Sequence, residues 1–71
     1  MYRQGDLAGA ERHLKQAYAL RPDVEIGVHL GEVLWVQGKQ AEARELWRAA
    51  AKKEPDSRLL NETLQRLKVT P

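Results

Sequence analysis

VEIGVHLGEVLWVQGKQAEARELWRAAA, Val24 to Ala51, is the stretch that decides the fold. Its first half carries Ile26, Leu30, Val33 and Leu34, spaced i, i+4, i+7, i+8, the stripe of a helix with one buried face. Its second half carries Ala43, Leu46, Trp47 and Ala50 in the same pattern with smaller residues. Between them stands Gln37-Gly38-Lys39, where a glycine at φ > 0 can end one helix and turn the chain back. Two helices joined so tightly lie antiparallel and bury their stripes against each other. The unit is a helical hairpin.

The 71 residues around this hairpin make one domain at most. A chain so short buries only roughly 60% of its unfolded surface, so its core is marginal. A formal charge of +2, with acidic residues interleaved among the basic ones, excludes the basic stripe of a nucleic-acid binder. Arg44, Arg48, Lys52 and Lys53, and likewise Arg12 and Lys15, read as solvated faces; a basic patch for acidic partners is the sharper alternative. Glu11 and Lys15 form a favourable i, i+4 pair. No apolar run approaches the ~20 residues that span a bilayer, and no signal-peptide core follows Met1. Cysteine is absent, which removes disulfides and Cys-type zinc sites.

One constant shift of the chain lays Gln4-Gly5 on Gln37-Gly38, Ala8 on Ala41, Ala10 on Ala43, Ala17 on Ala50 and Pro22-Asp23 on Pro55-Asp56. Leu14 meets Trp47 and Tyr2 meets Trp35, so size or apolar character persists where identity does not. A single lag that aligns Gly, Ala and Pro together marks an internal repeat. The small residues Ala10, Ala17, Ala43 and Ala50 let neighbouring helices approach closely, and Gly31 is expected to let another helix cross its own. Pro22 and Pro55 cannot continue the helices before them and push Arg21 and Glu54 out of the α region. Asp23 and Asp56 are then expected to cap the next helices, with Ser57 a further candidate cap. Four helices follow: about Leu7 to Leu20, Val24 to Gln37, Gln40 to Lys53, and Ser57 to Lys68.

These residues resemble the tetratricopeptide repeat (TPR), a helix-turn-helix unit of about 34 residues. Its second half is written twice: Gly5 through Ala10, Leu14, Ala17, Leu20 and Pro22, then Gly38 through Ala43, Trp47, Ala50 and Pro55. Leu30-Gly31 followed by Trp35 is similar to the Leu-Gly and aromatic positions of the first helix. The family's first-helix Trp position falls near Gly27, and the segment from Pro22 to Gly31 is one residue short. The resemblance implies an all-α fold of antiparallel helical hairpins from an α-solenoid, the TPR superhelix. It comprises about one and a half repeats plus a C-terminal capping helix: residues 1–22 as the second half of a repeat, 23–55 as a complete repeat, and 56–71 as the cap.

Tyr2 to Gln4 read as the last turn of a helix whose body is missing, and Met1 as an initiator added to a fragment. In the last helix Leu60, Leu64 and Leu67 form a stripe backed by polar Asn61, Glu62, Gln65, Arg66 and Lys68, as a solenoid uses to close its end. Thr70-Pro71 cannot prolong it, so a native C-terminus of a longer repeat protein is expected. Tyr2-Arg3-Gln4-Gly5-Asp6, His29 to Trp35 and Ala43 to Trp47 are also similar to the last repeats of tetratricopeptide lipoproteins of Gram-negative outer membranes. Members of that group hold partner proteins, proteases among them, at the inner leaflet. The resemblance implies a bacterial periplasmic or outer-membrane setting reached through a lipid anchor that this chain does not carry.

Catalytic chemistry finds little support. Glu25, His29 and Glu32 share a helical face at i, i+4, i+7, where a metal would compete with the blander reading, a solvated histidine between carboxylates. No His pair or orienting partner favours the metal. The sole serine, Ser57, lies near no His and carboxylate, and no Gly-rich phosphate loop is present. A non-catalytic scaffold that binds a protein or peptide, without metal or cofactor, is the first expectation. The family's first helices line its groove, here Val28, Glu32, Trp35 and Val36, continued by Glu62 and Arg66. Trp35 either anchors a partner or packs against Tyr2 or the terminal helix. The alternative is a structural module that caps the solenoid and self-associates through Leu7, Leu14 and Tyr18 on the first complete helix, giving a homodimer or higher oligomer at high concentration, with partner binding left to missing repeats.

Overall fold

The computed structural model describes residues 6–69. The readings that fall on Met1 to Gly5, and on Thr70 and Pro71, lie outside these. Four helices follow one another: α1 (Leu7–Leu20), α2 (Val24–Val36), α3 (Gln40–Lys53) and α4 (Arg58–Leu67). They pack as antiparallel hairpins, all-α, with α2 in contact with each of the other three. The two second helices, α1 and α3, keep the lag of the sequence repeat at both ends, Leu7 matching Gln40 and Leu20 matching Lys53. Their terminating residues also match: Arg21 (φ −143°, ψ 99°) and Glu54 (φ −139°, ψ 84°) both leave the helical region, as a following proline favours. The sequence repeat is therefore a repeat of backbone geometry.

The turn between α2 and α3 works as its glycine predicts. Gly38 takes φ 89°, its N–H donates to the Trp35 carbonyl at 3.0 Å, and Lys39 N–H donates to the Leu34 carbonyl at 2.9 Å. This paired closure satisfies carbonyls that the end of a helix would otherwise leave bare. The same closure ends α4, but with Lys68 in the left-handed region at φ 57°. There Val69 N–H donates to the Leu64 carbonyl at 2.9 Å, and the Val69 side chain folds back into the core.

The N-caps differ from expectation. Ser57, not Asp56, caps α4: its Oγ accepts the Leu60 N–H at 3.2 Å. Asp23 stands at the N-cap position of α2 without a side-chain cap bond. The shift by one residue has a simple cause, because a turn spans Pro55 and Asp56 before helical geometry begins.

The core gathers Val28, Leu30 and Leu34 from α2, Ala43, Trp47 and Ala50 from α3, Leu60 and Leu64 from α4, and Val69 beyond it. Gly31 and Trp47 explain how α2 and α3 come so close. A Cβ on residue 31 would stand 2.9 Å from Cε2 of Trp47 and closer still to Nε1, so the indole rests against bare backbone. Its N–H is not wasted, donating to the Val28 carbonyl at 3.3 Å. On the other flank the Tyr18 ring of α1 lies against Gly27. Thr63 is buried beside Leu60 and Leu64, while Leu67 is only half-buried. The α4 stripe is thus rotated slightly toward Thr63.

Candidate functional site

The outer side of α2 and the neighbouring side of α4 carry the residues expected to face a partner. Val28 is not among them. Its side chain has no exposure at all and belongs to the buried core. It is withdrawn from the candidate groove. Of the remaining five, Glu32, Trp35 and Val36 lie on α2 and Glu62 and Arg66 on α4.

Glu32 and Arg66 bridge the two helices, with Nη2 of Arg66 donating to Oε1 of Glu32 at 2.7 Å. The carboxylate side of the pair is only 18% exposed and the guanidinium 61%, so this is a rim ion pair worth little to stability. What it does is orient Arg66 over the helix seam. The same bond occupies the carboxylate that a metal at His29 would need. Among the described residues no three His, Asp or Glu side chains come together as a metal-binding group. Glu62 points outward and makes only a 4.0 Å approach to Arg58 on its own helix.

Of the packing partners expected for Trp35, Tyr2 lies outside the described residues, and Trp35 itself is half-buried. Its ring packs against Trp47 of α3, centroids 5.6 Å apart and planes tilted by 40°. The Arg44 guanidinium sits 5.8 Å from the Trp35 ring, within cation–π range. The inner side of Trp35 is thus buttressed by the core while part of it stays in solvent. Next to it Val36 is 53% exposed, an apolar side chain at the open end of the same helix. A rigid aromatic, an adjacent exposed aliphatic and a rim of both charges together suit a short segment with apolar anchors and mixed polar groups.

The residues proposed for self-association are placed on α1. Leu14 and Tyr18 pack in part against the core cluster, and all three, Leu7 included, are half-buried. The large apolar residue that α1 does expose is Leu20, at 84%.

Two features of the structure escaped the sequence reading. Arg44 belongs with Trp35, and counting outward from Lys39 would have paired them, since the two lie at similar distances on either side of that turn, on facing helices. Leu20 looked like part of the repeat pattern, and nothing in its periodicity marks it as bare. At the opposite end a shallow cleft is lined by Pro22, Asp23, Val24, Glu25, Lys53 and Glu54, where Lys53 Nζ donates to the Pro22 carbonyl at 2.6 Å. Among the described residues no buried side-chain nitrogen or oxygen lacks a hydrogen-bond partner, and no helix is long and apolar enough to cross a membrane.

Comparison with known proteins gives a consistent result. A family model described as "Tetratricopeptide repeat" matches residues 1–67. A stretch of 31 residues, 44% of this chain, is 61% identical to the TPR repeat-containing protein PA4667 of Pseudomonas aeruginosa and covers 5% of that protein's length. The chain therefore corresponds to a small part of the curated relative it matches. No solved structure matches the chain.

Proposed function

The chain belongs to the tetratricopeptide repeat family, and on that premise we propose that it is a non-catalytic scaffold that holds a protein or peptide on the α2–α4 face. Repeats of this family are in general protein–protein interaction modules. The finer reading rests on Trp35: a half-exposed ring fixed from behind by Trp47 and flanked by Arg44, beside exposed Val36. Aromatic anchors held rigid before binding lose little entropy when a partner arrives. Glu32, Arg66 and Glu62 supply the polar rim that selects orientation. Residues 1–22, 23–55 and 56–71 fit the second half of a repeat, a whole repeat and a cap, and α4 suits that cap through its polar Asn61, Glu62, Gln65, Arg66 and Lys68. The Pseudomonas relative supports a bacterial setting; a periplasmic or outer-membrane adaptor tethered by a lipid anchor elsewhere is the corresponding proposal for the whole protein.

Selection of a random peptide library on the immobilised chain, followed by amide chemical-shift mapping of the selected peptides, tests this reading. Shifts centred on Glu32, Trp35, Val36 and Arg66 are expected. Peptides whose shifts fall on α1 and α3 instead would end it.

A second reading, self-association, is favoured by one observation: α1 contains no fully buried residue and exposes Leu20 at 84%. Two copies would cover this helix from both sides. Sedimentation equilibrium from micromolar to millimolar protein decides it, with a single 8.1 kDa species throughout as the contrary outcome.

A further inference from the structure

We propose that Glu11 is a latch that holds α1 on the α2–α3 hairpin, so that α1 swings away locally, before the rest of the molecule unfolds, when the latch is undone. The Glu11 side chain, only 12% exposed, accepts hydrogen bonds from both sides of the α2–α3 turn. Gln37 Nε2 donates to its Oε1 at 2.8 Å, and Lys39 Nζ donates to the same oxygen at 3.1 Å and to Oε2 at 3.4 Å. Lys15, one turn along α1, adds an ion pair at 2.8 Å. Gln37 and Lys39 flank Gly38, whose φ of 89° reverses the chain between them and lets one carboxylate collect both. These bonds join segments 26 and 28 residues apart.

The latch matters because the apolar hold on α1 is weak. Ala43, Trp47 and Ala50 of α3 are 0%, 2% and 4% exposed. Their counterparts in the earlier copy of the repeat, Ala10, Leu14 and Ala17, are all only partly buried. A helix with few fully buried contacts belongs to the low-stability end of a molecule and opens first. Charge-assisted bonds to the turn replace part of the missing burial. The carboxyl is held down at about 2, first by Lys15 and then by Gln37 and Lys39. Of these partners only Gln37 and Lys39 lie outside α1, so only they tie it down. Release of α1 would uncover Gly27 of α2, against which the Tyr18 ring now lies.

Amide hydrogen exchange of the whole chain, read residue by residue by NMR, tests the latch. In the unmodified protein α1 amides should exchange at least tenfold faster than those of Ala43 to Ala50. Glu11→Gln and Lys39→Met should each speed α1 exchange by a further factor of roughly ten, the scale of one lost charge-assisted bond, with α2 to α4 unchanged. The double variant should add little to either single one, since both break the same link. Lys15→Met, which removes a bond internal to α1, should leave the ratio of α1 to α3 rates nearly as it was. The proposal is overturned if α1 and α3 exchange at a common rate that the variants shift together. It is equally overturned if Lys39→Met has no effect, or if Lys15→Met reproduces Glu11→Gln, because helix propensity would then account for the change.

Discussion

The Trp47 indole lies on the bare backbone of Gly31, with Cε2 only 2.9 Å from where a Cβ would be. This contact sets the distance between α2 and α3, and it makes residue 31 intolerant of even a methyl group. Gly31→Ala gains helix propensity of up to roughly 1 kcal/mol, but the buried indole at 2% exposure has no room to move. Overpacking should prevail and destabilise the fold by about 1–3 kcal/mol. Urea denaturation checks the sign: a Gly31→Ala variant more stable than the parent would mean that the helices separate freely.

Leu64 is 7% exposed and joins α4 to the shared core. Leu64→Ala should cost roughly 2–5 kcal/mol, a large part of what so small a domain has. Thermal melting followed by circular dichroism should show a drop of ten degrees or more, given the ~4–8 °C that ~1 kcal/mol moves a domain of this size. A drop of only a degree or two would make α4 an accessory to the hairpin.

Lys68 stands at φ 57° and ψ 44°, where a Cβ crowds the backbone and glycine does not. Lys68→Gly should therefore stabilise the chain by about 0.5–1 kcal/mol, in contrast to glycine inside a helix. Gly38→Ala should do the opposite, since residue 38 sits at φ 89°. Paired denaturation curves with these two variants give the comparison, and equal signs would contradict the backbone argument.

Glu11 predicts an acid dependence. Its folded carboxyl lies near 2, below the ordinary 4.5, because it accepts bonds from Lys15, Gln37 and Lys39. A depressed pKa stabilises the fold above the unfolded value and loses that contribution as pH falls from about 4.5 toward 2. With the pair near the surface, solvent screening limits the effect to about 1 kcal/mol. Stability measured at about pH 6 and about pH 2 should differ by that much less in Glu11→Gln than in the parent chain.

For the binding face, Trp35→Ala should weaken a selected peptide by roughly 1–3 kcal/mol. It also removes the contact with Trp47 and so lowers stability. Val36→Glu is the cleaner probe, because that side chain is 53% exposed and supports no core. Calorimetric titration should show the affinity falling in both variants, while the melting temperature of Val36→Glu stays within a degree or two. Unchanged affinity in both would remove the α2–α4 face from consideration.

Most of the architecture was legible before any coordinates, because it depends on local physics. Helical periodicity, proline exclusion and the single repeat lag specify four helices whose limits agree with those observed to within one residue. Gly38 marks its turn because a positive φ is a property of one residue and its backbone. Side chains at the ends of these helices were harder. Asp56 and Ser57 compete for one cap position, and the turn before α4 settles it in favour of Ser57.

What the tertiary structure alone decided is which face each helix keeps. Val28 looked available to a partner and is enclosed, since α2 alone is touched by three helices and needs an apolar surface wider than one stripe. Leu14 and Tyr18 looked bare and are packed against the core. Trp35 found Trp47, and Glu11 found Gln37 and Lys39, across distances in sequence that no helical spacing rule reaches. Periodicity reports the angle of a side chain about its own helix axis, and so it determines that a face is apolar. How far neighbouring helices wrap around that axis is a matter of packing, and packing determines whether the face is buried or offered.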